Sequence, residues 1–230
     1  PIILIHGAAN SSEVWTFWQC RLAEHGCASH AIDLRGHGRS SHLDLSTTSM
    51  YDYATDIRSL ASRLANKPIL MGWSMGGLVA MMVAATGGAT ACVTLAPSMP
   101  AQVTDEYITL RTGEFGPEEY GIVSLDPEDQ RGMADLDLEE RSIALTSLCR
   151  ESRLARDQRG AGIVVQSLTC PFLLVTGTED RAWPLERYRD LWLDGEQQQV
   201  QGASHWGLVL NRRAMSGAVP AVEQWLSANY

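Results

Sequence analysis

Gly72-Trp73-Ser74-Met75-Gly76 places a serine between two glycines, each one residue removed from it. A serine hydroxyl becomes a useful nucleophile only when a neighbouring base takes its proton. His205, after Gly202-Ala203-Ser204, is the candidate base. A carboxylate that would hold the imidazole in one tautomer and stabilise the imidazolium stands before it, in Gly177-Thr178-Glu179-Asp180. Ser74, Asp180 and His205 together have the chemistry to attack a carbonyl, carry an acyl group and release it to water. Asp180 is the expected acid, with Glu179 adjacent to it and Asp105 as a second position where the acid could lie. The serine pattern alone arises by chance in about one chain in ten of this length, and a plain turn serine is the competing explanation. Its company, in this order, carries the reading.

Acyl transfer also needs hydrogen-bond donors aimed at the developing oxyanion, each worth about 3–4 kcal/mol of barrier. The backbone N–H groups of Met75, at a helix start, and of Ala8, after His6-Gly7, are the expected pair. His6 is expected to brace its loop rather than to react. Asp33 and Arg35 read as a turn-stabilising pair, with Gly36 and Gly38 allowing positive φ. Trp73, Met99, Trp183 and Trp206 are the expected apolar lining of a substrate pocket, with core packing the competing explanation, above all for Trp73. No metal site is expected: the six histidines contain no H-x-x-x-H, and His37 and His42 read as exposed loop residues. No cofactor is expected either, because there is no G-x-G-x-x-G after a strand and no P-loop.

The elements that must position these residues follow from hydrophobic patterning. Residues 1–6 (PIILIH) form an unbroken apolar run, as in a strand covered on both faces. Further strands are expected at 27–34, 69–73, 91–96, 172–177 and, weakly, 198–201. Helices are expected at 13–25, 49–65, 75–85 and 219–228, the last with Pro220 near its first turn. Strands alternating with helices imply a parallel, doubly wound sheet. Ser74 then falls on a sharp turn between strand and helix, and Asp180 and His205 follow later strands. The rhythm breaks at 99–167, which is richer in charge and carries weak helical patterns, notably 138–148. This stretch is expected to be a helical cap over the carboxyl edge of the sheet, between core parts 1–98 and 168–230.

Length and composition agree with one α/β domain: 230 residues, 45% of them hydrophobic. A net charge of −9 argues against a nucleic-acid partner. No apolar run approaches a membrane span, and no charged and apolar leader opens the sequence, so no membrane association is expected. Five cysteines without C-x-x-C read as buried free thiols in a reducing, cytoplasmic compartment.

Five segments together resemble the α/β-hydrolase superfamily: His6-Gly7-Ala8, Asp33 to Ser40, Gly72 to Gly76, Gly177 to Asp180 with Pro184, and Gly202 to His205. The layout is similar to the plant methyl-esterase and hydroxynitrile-lyase branch, which also starts at the His-Gly strand and whose segments Tyr51-Asp52-Tyr53 echoes. The Asp33 to Ser40 loop is more like the bacterial esterase and C–C hydrolase branches. The resemblance implies a serine hydrolase acting on a small, rather apolar ester, lactone or thioester. It equally allows C–C hydrolysis on the same triad, or a ligand receptor with little turnover. It also implies a sheet of about six strands, because the usual leading strands are not in the sequence. Hydroxynitrile lyase activity is disfavoured by Gly7 and Arg181, where that branch has Thr and Lys. Dehalogenase and epoxide hydrolase chemistry is disfavoured by Ser74, where those enzymes have Asp. The expected partner is a small acyl substrate, and the oligomeric state is open.

Overall fold

The apolar runs become strands, and the computed structural model describes residues 1–40 and 44–229. His42, expected to be an exposed loop residue, lies outside the described residues. The strands are β1 (Ile2–Ile5), β2 (Ser29–Ile32), β3 (Ile69–Trp73), β4 (Ala91–Leu95), β5 (Glu114–Phe115), β6 (Glu151–Ser152), β7 (Phe172–Gly177) and β8 (Glu196–Val200). Six of them form one sheet in the order β2-β1-β3-β4-β7-β8, with every pairing parallel. The helices are α1 (Thr16–Glu24), α2 (Met50–Ala61), α3 (Met75–Ala84), α4 (Leu138–Thr146), α5 (Arg153–Ala161), α6 (Gly207–Leu210) and α7 (Arg212–Asn229).

Alternation along each strand feeds two cores. Ile2, Leu4, Met71 and Trp73 pack on one face with Trp18 and Leu22 of α1 and Val219 and Val222 of α7. Ile3, Ile5 and Leu70 pack on the other with Tyr53 and Ile57 of α2 and Leu78 and Met81 of α3. A central strand therefore has no polar face, which is why β1 and β3 read as unbroken apolar runs and β4 and β7 break theirs only with the buried Thr94 and Thr176. Strand order reverses between β1 and β3, and ligands of open α/β sheets bind beyond the carboxyl ends at such a point.

Several boundaries differ from the sequence expectation. Helix α7 starts at Arg212, so Pro220 lies inside it rather than near its first turn. Pro220 and Ser216 are both exposed, so water can take the carbonyl that proline leaves without a donor. Arg35 does not pair with Asp33. It forks onto Asp56 of α2 at 2.5 and 2.6 Å, while Asp33 accepts the backbone N–H groups of Ser12 and Arg39. Gly36 and Gly38 do take positive φ, at 74° and 50°. The five cysteines are free, but only Cys92 is buried and Cys20 is exposed. No helix among the described residues is long and apolar enough to cross a membrane.

Between β4 and β7 the chain leaves the sheet. It forms the antiparallel pair β5–β6, short 3-10 turns, α4 and α5. Helix α4 has a capping box of Asp137 and Glu140, and Ser152 caps α5.

Candidate active site

Ser74 is the first residue to leave β3 and the N-cap of α3, and its φ of 54° is left-handed. A non-glycine residue held there stores strain, as on the sharp strand-to-helix turns that present a nucleophile. The glycines either side are obligatory. A Cβ on Gly72 would lie 2.2 Å from the Gly76 carbonyl oxygen, and one on Gly76 would lie 2.3 Å from that of Ile5. The backbone of Ser74 is pinned by its own N–H to Leu95 O (3.0 Å) and by Ser98 N–H to its carbonyl (2.9 Å). Its side chain forms no hydrogen bond among the described residues and faces a cavity.

Asp180 and His205 approach from the ends of β7 and β8. His205 Nδ1 lies 2.7 Å from Asp180 Oδ2. The other oxygen of Asp180 accepts the N–H groups of Ala182 (2.9 Å) and Trp183 (2.8 Å), so the carboxylate is fixed by its own turn. Burial opposes ionisation of Asp180, but His205 and these two N–H groups outweigh it and hold the carboxyl below its ordinary range. Asp105, the alternative acid, is exposed and accepts from Tyr107 N–H. His205 is held from behind: the Trp73 indole donates to its carbonyl (3.0 Å) and the two rings are 5.1 Å apart.

The loop after β1 brings Ala8 to the same cavity as Ser74 and His205. The Met75 N–H is at the first helical position, where no turn of the helix can satisfy it. Ala8 N–H likewise has no partner among the described residues. His6 braces this loop: its Nδ1 is 2.8 Å from Gly7 O and its Nε2 accepts Leu34 N–H at 3.1 Å. Burial, aided by the nearby His37, lowers its pKa to about 4, so the ring is neutral.

A second brace was not foreseen. Glu151 of β6 is wholly buried and accepts from Ala9 N–H (3.1 Å), Tyr53 Oη (2.6 Å) and its neighbour Ser152 N–H (2.8 Å). Ala9 itself has a φ of 56°, and its carbonyl accepts Cys149 N–H at 2.8 Å. His37 completes the cluster. Far from being an exposed loop residue, it is 1% exposed, with Nε2 in ionic contact with Glu151 at 3.4 Å and its ring beside those of His6 and Tyr53. Burial disfavours the Glu151 carboxylate, yet His37, Arg159 and Tyr53 outweigh it and hold its pKa at about 2. No local pattern marks this pairing of residues 37 and 151; only the fold brings them together.

The cavity has a volume of about 760 Å³ and is walled by Ser74, Asp180 and His205 on one side. Trp73, Trp183 and Trp206 line it as expected, although Trp73 is mostly packed into the core. Met99 does not line it; it packs on the α2–α3 side of the sheet, because the chain turns down onto that face after β4. The stretch 99–167 contributes Tyr120, Ile122, Arg131, Asp135 and Arg159, none of which the sequence singled out.

This fold and this turn define a hydrolase-like class, and the chain belongs to the alpha/beta hydrolase family, whose model matches residues 2–215. Over 83 residues it is 39% identical to a pimeloyl-acyl-carrier-protein methyl ester esterase of Sodalis glossinidius, covering 36% of this chain. The corresponding protein of Yersinia pestis is 40% identical over the same length. The chain spans 30% of the length of these curated relatives. Among solved structures, a methylesterase from Arabidopsis superposes with a TM-score of 0.74 at 19% identity, over 97% of this chain and 98% of that one. A pyrethroid hydrolase from Sphingobium faniae gives 0.69 at 22% identity, over 96% and 95%. At such identities the structural likeness is one of fold.

Proposed function

We propose that this protein is a serine carboxylic ester hydrolase. Its substrate is a small, rather apolar ester, and its acyl intermediate forms on Ser74. The observation that carries the reading is the Asp180–His205 contact of 2.7 Å beside a serine on a left-handed turn, all three on one cavity. In this mechanism His205 takes the Ser74 proton as Oγ attacks the ester carbonyl. The oxyanion is held by the N–H groups of Ala8 and Met75. His205 then protonates the departing alcohol, and the same ring activates water to free the acid. Asp180 stays ionised throughout and stabilises the imidazolium. The stretch 99–167 acts as a cap that closes the acyl end of the cavity. Relatives named for methyl esters support a short alcohol portion.

The test is the initial rate on p-nitrophenyl acetate, butyrate and octanoate for wild type and Ser74→Ala. Turnover by the wild type that vanishes in the variant supports the acyl-enzyme. Equal rates in both would refute it.

A further inference from the structure

We propose that Arg159 is an anion subsite of the catalytic cavity, so that the preferred substrate is a half-ester: an ester at one end and a free carboxylate at the other. This rests on the ester hydrolase reading and names its substrate class.

Arg159 differs from the other arginines of its helix. Arg153 and Arg156 of α5 both pair with Glu119 at the surface. Arg159 has no carboxylate within salt-bridge distance among the described residues, and it lines the cavity. Its Nε is buried without a hydrogen-bond partner. Its two terminal nitrogens reach only neutral hydroxyls, Tyr120 Oη at 2.8 Å and Ser98 Oγ at 3.4 Å. Glu151 acts on this guanidinium only across a distance, with no direct contact, and a half-buried guanidinium whose N–H groups no carboxylate touches gains from an arriving carboxylate. The nearby carboxylates are committed elsewhere or out of contact. Glu151 is taken by Ala9, Tyr53, Ser152 and His37. Asp180 holds His205; Asp135 Oδ2 accepts from Ser204 N–H and the Asn211 amide while its Oδ1 has no partner, and the remaining cavity carboxylate, Glu179, is exposed; neither Asp135 nor Glu179 lies within salt-bridge distance of Arg159. Arg131 and Arg181 also border the cavity but are exposed, where water and salt screen them.

Position favours substrate contact. Ser98 donates its N–H to the Ser74 carbonyl and accepts Arg159 Nη1 on its hydroxyl, so one residue separates the guanidinium from the nucleophile's backbone. Tyr120, the other partner, also lines the cavity. A planar fork with a spare N–H matches a carboxylate far better than an apolar chain end.

The experiment compares monomethyl and dimethyl esters of succinate, glutarate and adipate, in wild type, Arg159→Gln and Arg159→Lys. Wild type is expected to favour the half-ester in kcat/KM by about tenfold or more, the worth of one charge-assisted hydrogen bond. That ratio should collapse in Arg159→Gln and be partly kept in Arg159→Lys. A half-ester to diester ratio that is the same in all three proteins overturns the proposal. Thermal shift by glutarate against glutaramide, its neutral diamide, provides a readout independent of turnover. Stabilisation by glutarate in the wild type that is lost in Arg159→Gln supports the subsite even if no ester is cleaved, in which case the hydrolase reading alone fails. Equal shifts with the diacid and its diamide in the wild type overturn the subsite.

Discussion

Replacing Glu151 by Gln removes one negative charge from a wholly buried site with four engaged partners. The carboxyl titrates at about 2 in the folded protein against 4.5 when free. That difference contributes on the order of 3 kcal/mol to folding, in line with the loss seen when one member of a buried ion pair is removed. For a chain of this size the melting temperature should fall by roughly 6–12 °C. The pH dependence has a definite sign. Glu151 has a depressed pKa, so its contribution is complete above about 4.5 and is lost as pH falls towards 2. His37 is raised: burial opposes its charge, but Glu151 outweighs that. Its contribution is complete below about 6.5 and is lost as pH rises through the folded value. The gap between wild type and variant is therefore widest near pH 5.5 and narrows towards pH 8. His6, Tyr53, Arg159 and Asp33 face the same cluster and are left in place by the substitution. The assay is thermal unfolding by circular dichroism at both pH values, with ester turnover measured alongside. Because Glu151 holds Ala9 next to Ala8, the proposed oxyanion donor, kcat should fall by about tenfold with little change in KM. Melting within about 2 °C of wild type at pH 5.5 would refute the view that a buried ion pair holds this loop.

Asp180→Asn should lower kcat by about 10³–10⁴-fold, whereas Asp105→Asn should stay within about twofold of wild type; the reverse result places the acid after β4. Gly72→Ala should abolish soluble expression or cost more than about 3 kcal/mol, because its Cβ meets backbone rather than a side chain that can move. Gly217→Ala, whose Cβ meets nothing within 4 Å on α7, should instead raise stability by up to about 1 kcal/mol in denaturant melts.

The strand ladder, the Gly72 to Gly76 turn and the positions of Asp180 and His205 beyond their strands were legible in the sequence. Each has a local physical signature: an unbroken apolar run, glycines where a Cβ would strike backbone, a polar residue just past a strand. The edge strand β8 was legible only weakly, because its outward side chains are polar. The start of α7 was hidden by Gly217 and Pro220, which imitate a helix boundary that packing of Met215 and Ala218 overrides. Tertiary structure alone decided what stands around Ser74, Asp180 and His205. Met99 and Asp105 follow β4, where distance along the chain suggested the cavity, yet the chain carries both away from it. His37, Glu151 and Tyr53 are separated by up to 114 residues, and only the return of the chain through β6 makes them one buried cluster. In sequence, Arg159 is one more charge in the charge-rich stretch 99–167. The fold turns that one guanidinium toward the cavity without a carboxylate in contact, while Glu119 is taken by the two arginines before it. Periodicity records which face of an element is buried, but pairings between distant polar side chains leave no periodic trace, and those pairings set the cavity's charge.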